Sequence, residues 1–270
     1  TLCSAWRVFE PCGFPPSHFS SRALSCQYTP QMRRRFFVEK FDAQRAIMDG
    51  EAAHHLGRVL RAQVGQLYEL SDGTTAWLGR IDKLGRDRVE FQLLEQLPGF
   101  APQLKTTLLL SIVKFDAFEW ALEKATELGV NRIVPLAAAR SEKALLAAAV
   151  KRSERWKKIL LESSQQCRRV QLPLLDPPTK PEAVFSTEKD GARILLSESP
   201  QAKPLREALS GVQATSAIIA IGPEGGWTDT EFAAARAASF LEASLGKLIL
   251  RTETAVVASL AVVNFALSTD

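Results

Sequence analysis

Residues 216–231 read SAIIAIGPEGGWTDTE, and this stretch decides the fold. The apolar run ending at Ile221 has the length and β-branched content of a buried strand. Gly222, Pro223, Glu224, Gly225 and Gly226 then force a tight turn. Thr228 with Glu231 three residues on forms a capping box, so a helix is predicted from there to about residue 239. Backbone amides and a helix N-terminus are thereby presented at the carboxyl end of a strand, where open α/β sheets bind ligands. The spacing fits neither GxGxxG nor GxxxxGKS/T, which disfavours a nucleotide held in either of those ways. Taken alone, a glycine-rich turn is an ordinary tight turn.

Upstream the alternation repeats. TTLLLSIV (106–113), NRIVPLA (131–137) and ARILLSE (192–198) read as strands, and 115–128, 148–168 and 204–209 as helices. Phe115, Phe118, Leu122 and Ala125 form an i, i+3, i+7, i+10 stripe, followed by Gly129 as a stop. Such alternation predicts an α/β layer fold with a mainly parallel sheet. Before it, FFVEK, QLYELSD, TTAWLGRID and DRVEFQLLEQ are short strands parted by turns, as in a small β-barrel or half-open sheet, with a short helix over EAAHHLGRVLR (51–61). LPGFAPQLK, with two prolines and a glycine, separates the two patterns. The expected domains are therefore 32–97 and 105–270, joined by a linker at 98–104.

Downstream, LGKLILRTETA (245–255) places Gly246 after a short strand and a polar tetrad, 251–254, at the entry to an apolar helix. Helix capping by Thr252 or Thr254, with Glu253 at the positive dipole end and Arg251 solvated, is the ordinary account. It leaves the pairing with GPEGG unexplained. The uncharged run 254–267 falls short of the roughly 20 residues of a membrane-spanning helix and reads as a buried one.

Composition narrows less. The 270 residues carry 34 basic and 30 acidic side chains, which permits a nucleic-acid partner without requiring one. Cys3, Cys12, Cys26 and Cys167 form no CxxC pair, so neither a metal site nor a disulfide framework is expected, and a cytoplasmic setting is the default. Residues 1–31 lack apolar periodicity, and Met32 resembles a natural start. They read as a disordered or extraneous extension, with an organelle transit segment as the alternative.

GPEGG followed some twenty residues later by LGKLILRTETA resembles the RsmE family of 16S rRNA uridine-N3 methyltransferases, within the SPOUT superfamily. MRRRFF (32–37), HHLGRVLR, EKATELGVNRIVPL (123–136) and ERWKKILLESSQQCRR (154–169) agree with it, so the likeness spans residues 32–267. Two positions depart: Arg168 stands where the family has glycine, and Trp227 where it has a smaller apolar residue. The resemblance implies a PUA-like RNA-binding domain, a SPOUT domain with a deep trefoil knot, and a homodimer. The apolar last helix is a plausible interface.

The resemblance further implies an S-adenosylmethionine pocket built from three loops: Leu196, Ser197 and Glu198; Ile221, Gly222, Pro223, Gly225 and Gly226; and Leu245, Gly246, Leu248 and Leu250, with Thr254 and Ala255 beyond. Alkylating uracil N3 requires loss of its proton, hence a base or a cation that stabilises the imide anion. His18, His54 and His55 all lie outside the second domain. Arg251 is expected to stabilise the uracil anion or anchor its phosphate. Glu253 would orient Arg251 or accept the proton, with Glu224 in reserve.

For RNA, residues 151–169 hold seven basic against two acidic side chains, including Arg168 and Arg169. Arg33, Arg34, Arg35, Arg58 and Arg61 would extend a basic surface onto the first domain, although such runs are commonly just solvated faces. A SPOUT enzyme acting on another RNA such as tRNA, and a non-catalytic RNA-binding assembly protein, are the competing readings.

Overall fold

The structure is a computed structural model that describes residues 34–39, 41–99 and 103–268. The expected extension at 1–31, Arg33 and the middle of the linker lie outside the described residues.

The first sheet contains β1 (Arg35–Phe37), β2 (Phe41–Asp42), β3 (Arg45–Asp49), β4 (Leu67–Ser71), β5 (Ala76–Leu84) and β6 (Arg88–Leu97), in the order β1-β4-β5-β6-β3-β2. β1 runs parallel to β4, and the remaining ladders are antiparallel. Inward-facing Phe36, Met48, Leu70, Ile81 and Phe91 make its core. β3 carries no clear strand signal in the sequence, yet Ala46 and Met48 alternate inward between exposed neighbours as a strand's period of two requires. The helix expected at 51–61 is a short α1 (Gly50–His54) continued by a π-turn over His55–Val59. That turn breaks the 3.6-residue period, so Leu56 is buried while Val59 and Leu60 are exposed.

The second sheet contains β7 (Lys105–Ser111), β8 (Arg132–Leu136), β9 (Leu174–Leu175), β10 (Ala192–Leu196), β11 (Lys203–Pro204), β12 (Ser216–Ile221) and β13 (Leu241–Ser244). Their order is β11-β13-β10-β12-β7-β8-β9, and every ladder is parallel. Side chains alternate between two buried faces. Leu108, Leu110, Ile219 and Ile221 pack under α2 (Phe115–Glu127), α3 (Lys143–Gln166) and α7 (Thr252–Leu267). Leu109, Val134, Ile218 and Ala220 pack under α4 (Pro181–Thr187) and α6 (Asp229–Ala237). A short α5 (Leu205–Ala208) lies between β11 and β12 in the chain. α4 was hidden in a proline-rich stretch, but Pro181 occupies the first turn, where a missing N–H costs nothing.

The two sheets are locked together at the end of α3. Glu69, on β4 and only 2% exposed, accepts hydrogen bonds from Arg35 Nε and Nη2 (3.2 and 3.0 Å) and from both Nε and Nη2 of Arg168. Arg35 Nη1 also donates to the Arg168 carbonyl at 2.6 Å, and Ser71 Oγ to that of Val170 at 2.7 Å. Burial, and then the neighbouring charge of Arg168, lower the Arg35 pKa. This corrects the expectation that Arg35 contributes to an open basic surface, because its guanidinium is consumed in the joint. Arg169 likewise turns inward, donating to the carbonyls of Thr126 and Gln171 at 3.0 Å each. Arg34, Arg58 and Arg61 are exposed.

Candidate active site

β13, β10 and β12 are adjacent and parallel, so their carboxyl ends emerge at one edge of the sheet. The loops that follow them enclose a cavity of about 550 Å³. Every residue expected to hold the cofactor lines this cavity except Thr254, and both Arg251 and Glu224 line it as well. Glu253 does not: it is half-buried on the first turn of α7, and among the described residues it makes no hydrogen bond or ion pair with Arg251. Thr254 is exposed outside the cavity.

Local chemistry explains how the loops hold this shape. Trp227 is buried, and its Nε1 donates to the Leu196 carbonyl at 2.9 Å, which ties the glycine loop to the loop after β10. Its ring lies on Gly222, where an added Cβ would sit 3.1 Å from Trp227 Cε2. Close packing thus favours glycine at this position, and the departure noted at 227 fills that space with an indole. The capping box is present as expected, with Glu231 Oε2 accepting from Thr228 N and Oγ1 at 2.8 and 2.9 Å. The other oxygen, Oε1, accepts from Ala139 N at 2.9 Å, so one buried carboxylate caps α6 and tethers the loop after β8.

That loop supplies a residue the sequence reading missed. Arg140 lines the cavity and donates from Nη1 to the Gly225 carbonyl at 2.8 Å. Nothing in its local sequence announces it, because the register of β8 against β7 is what brings it to the glycine loop. The structure also corrects the capping account of the polar tetrad. Arg251 is the N-cap of α7 and no side chain caps that helix, while Thr252 Oγ1 makes a long 3.4 Å contact to the Gly222 carbonyl. Leu248 and Ile249 stand beside the cavity with 82% and 79% of their surface exposed, an apolar lip available to a ligand.

The basic run on α3 is partly offset by carboxylates. Arg152 and Arg155 both pair with Glu119, at 3.1 and 2.7 Å, Lys157 pairs with Glu154 and Lys158 with Glu51. With Arg168 on Glu69, three carboxylates from outside the run, Glu119, Glu51 and Glu69, offset part of the positive excess counted along it. Among the described residues no cluster of side chains could hold a metal ion, and no helix is long and apolar enough to cross a membrane.

Comparison with known proteins agrees with this architecture. Residues 101–264 match an RNA methyltransferase domain, and residues 48–94 an RNA methyltransferase PUA domain. The chain is 34% identical over 221 residues to the ribosomal RNA small subunit methyltransferase E of Synechocystis, covering 78% of this chain and 70% of that protein. Its structure is similar to that of a ribosomal RNA small subunit methyltransferase E from Neisseria gonorrhoeae bound to S-adenosyl methionine. The TM-score is 0.78 at 28% identity, covering 87% of this chain and 98% of the other. A putative methyltransferase from Legionella pneumophila in complex with the same cofactor gives a TM-score of 0.79 at 29% identity, covering 90% and 100%. With its seven-stranded parallel sheet, the glycine-loop cavity at that sheet's carboxyl edge and the smaller β domain beside it, the chain belongs to the ribosomal RNA small subunit methyltransferase E family.

Proposed function

We propose that this protein transfers a methyl group from S-adenosylmethionine to N3 of a uridine in 16S rRNA of the small ribosomal subunit. The observation that carries the reading is the convergence of three sequence-distant loops on one cavity at the sheet edge, with Arg251 and Glu224 on its wall. The cavity falls within the roughly 300–1,000 Å³ of small-molecule sites, and its glycine backbone and apolar lip suit an adenosyl group. When bound, the sulfonium supplies an activated methyl, so the protein's task is alignment, exclusion of water and removal of the N3 proton. Arg251 stabilises the developing imide anion. Of the two glutamates considered as base, Glu224 lies on the cavity wall, and we assign proton acceptance to it rather than to Glu253.

The domain division at 32–97 and 105–270, the knotted path of the C-terminal segment and a cytoplasmic setting belong to the same reading. So does a homodimer. α7 buries Val256, Leu260 and Val263 on one side and leaves Ala261 and Phe265 bare on the other, Phe265 at 91% exposure. A second copy of the chain covers that face. Of the first-domain arginines expected to meet RNA, Arg34, Arg58 and Arg61 are exposed and available to it.

Titration calorimetry with S-adenosylmethionine tests the cofactor assignment: saturable binding is expected, and its absence would favour a non-catalytic assembly protein. Sedimentation of the wild type and of Phe265→Glu tests the dimer, which the variant should dissociate. A wild type that sediments as a monomer would remove it.

A further inference from the structure

Three cationic side chains line the cavity, Arg251, Arg140 and Lys247, and of these only Arg251 acts on the uracil in the reaction above. Arg140 projects from a loop held on both sides. Ala137 N donates to Thr179 O and Ala139 N to Glu231 Oε1, each at 2.9 Å, while Ala138 and Ser141 are buried. Its side chain lies along Gly225, where an added Cβ would sit 3.1 Å from Arg140 Cβ, and Nη1 is fixed on the Gly225 carbonyl. An exposed arginine ordinarily sweeps a wide volume, whereas this one is pre-organised and has spent one of its five donors. Among the described residues it pairs with no carboxylate, unlike Arg152 and Arg155, which share Glu119, and Arg168, which shares Glu69 with Arg35.

We propose that Arg140 binds a phosphate of the RNA strand beside the target nucleotide, which leaves Arg251 to the base. The inference rests on the rRNA methyltransferase reading above. A planar fork of donors matches two phosphate oxygens, and a side chain both exposed and fixed stands where the incoming strand must pass. The competing partner is the carboxylate of the cofactor, whose sulfonium and ammonium groups make it a poorer match for a further cation in the wall. Lys114, three residues past the end of β7, and Lys143, the first residue of α3, are exposed at the ends of neighbouring strands, where adjoining phosphates would run. Asp116, Glu142 and Glu224 share this edge and are exposed, so attraction there depends on the fixed guanidinium rather than on a broad positive field.

The test compares the full-length wild type with Arg140→Gln, which can keep the hydrogen bond to Gly225 but carries no charge, and Arg140→Lys, which keeps the charge. Binding to unmodified small ribosomal subunits is measured across a salt series, and S-adenosylmethionine binding by calorimetry. Arg140→Gln is expected to weaken subunit binding several-fold and to flatten the slope of log K against log salt by about 0.7–0.9, as loss of one phosphate contact requires. Its cofactor affinity should stay at the wild-type value, and Arg140→Lys should retain the slope. An unchanged slope in Arg140→Gln would overturn the proposal, as would a loss of cofactor affinity matching the loss of RNA affinity. A wild type that binds subunits without methylating them would instead defeat the methyltransferase reading and leave the salt comparison readable.

Discussion

Arg168 holds its backbone in the left-handed region, at φ 62°, and from there its guanidinium closes on Glu69 across the junction between the two sheets. A non-glycine residue pays roughly 1–2 kcal/mol for that conformation. The ion pair offsets the strain, but its worth is limited because the Arg168 side chain is 45% exposed. Glu69, at 3% side-chain exposure, is different: without it Arg35 remains buried and unpaired.

From this asymmetry, Arg168→Gly should change unfolding stability by no more than about 1 kcal/mol, since relief of strain and loss of the pair nearly cancel. Glu69→Ala should cost about 3–5 kcal/mol. Denaturant melts of both variants check the contrast. Equal losses would show that the exposed and buried halves of the joint carry the same weight.

Gly222→Ala places a methyl group 3.1 Å from the Trp227 ring, so the indole that is bonded to the Leu196 carbonyl must give by a few tenths of an ångström. Overpacking of this kind costs about 1–3 kcal/mol. Because the strain falls between two walls of the cavity, it should emerge as weakened cofactor affinity, by roughly 5- to 150-fold if that whole cost falls on binding. Calorimetry of the variant reads this directly, and wild-type affinity would mean that the two loops adjust independently.

Arg251→Ala should lower kcat by roughly 10²–10³-fold, the range for removing a group that stabilises developing negative charge. S-adenosylmethionine affinity should hold. Single-turnover kinetics with saturating subunits separates the two effects. Full turnover would dismiss Arg251 from the chemistry.

Asp72 sits in the turn between β4 and β5, accepting from the backbone N–H groups of Thr74 and Thr75 at 2.9 and 2.8 Å. Burial pushes its carboxyl up, but the hydrogen bonds from Thr75 and Thr74 outweigh this and hold it below the usual carboxylate range. A depressed folded-state pKa stabilises the protein above the unfolded value of about 3.9, and that stabilisation is lost as pH falls through the folded-state value. The stability gap between wild type and Asp72→Ala should therefore be full at neutral pH and narrow below about pH 4. A gap independent of pH would contradict the charge-based account.

What the sequence made legible was what neighbouring residues decide. The strand, glycine turn and capping box of 216–231 are consecutive, and each appears where expected. The parallel sheet followed from alternation alone. What stayed hidden depends on partners distant in the chain. Glu119 and Glu51 engage Arg152, Arg155 and Lys158 of a helix whose basic run looks open when read along the chain. Glu69 draws Arg35 and Arg168 inward. Arg140 enters the cavity through the register of β8 and the second oxygen of Glu231. The two-residue strands β9 and β11 are too short to carry a period at all.

In the proposed reaction one cavity delivers a methyl group to a ribosomal uridine. The direct measurement is to offer radiolabelled S-adenosylmethionine with unmodified small ribosomal subunits, free 16S rRNA and tRNA, and then to map any methyl group to its atom. The account predicts label on N3 of a single uridine in the 16S rRNA. Label on tRNA and on neither ribosomal substrate would contradict it.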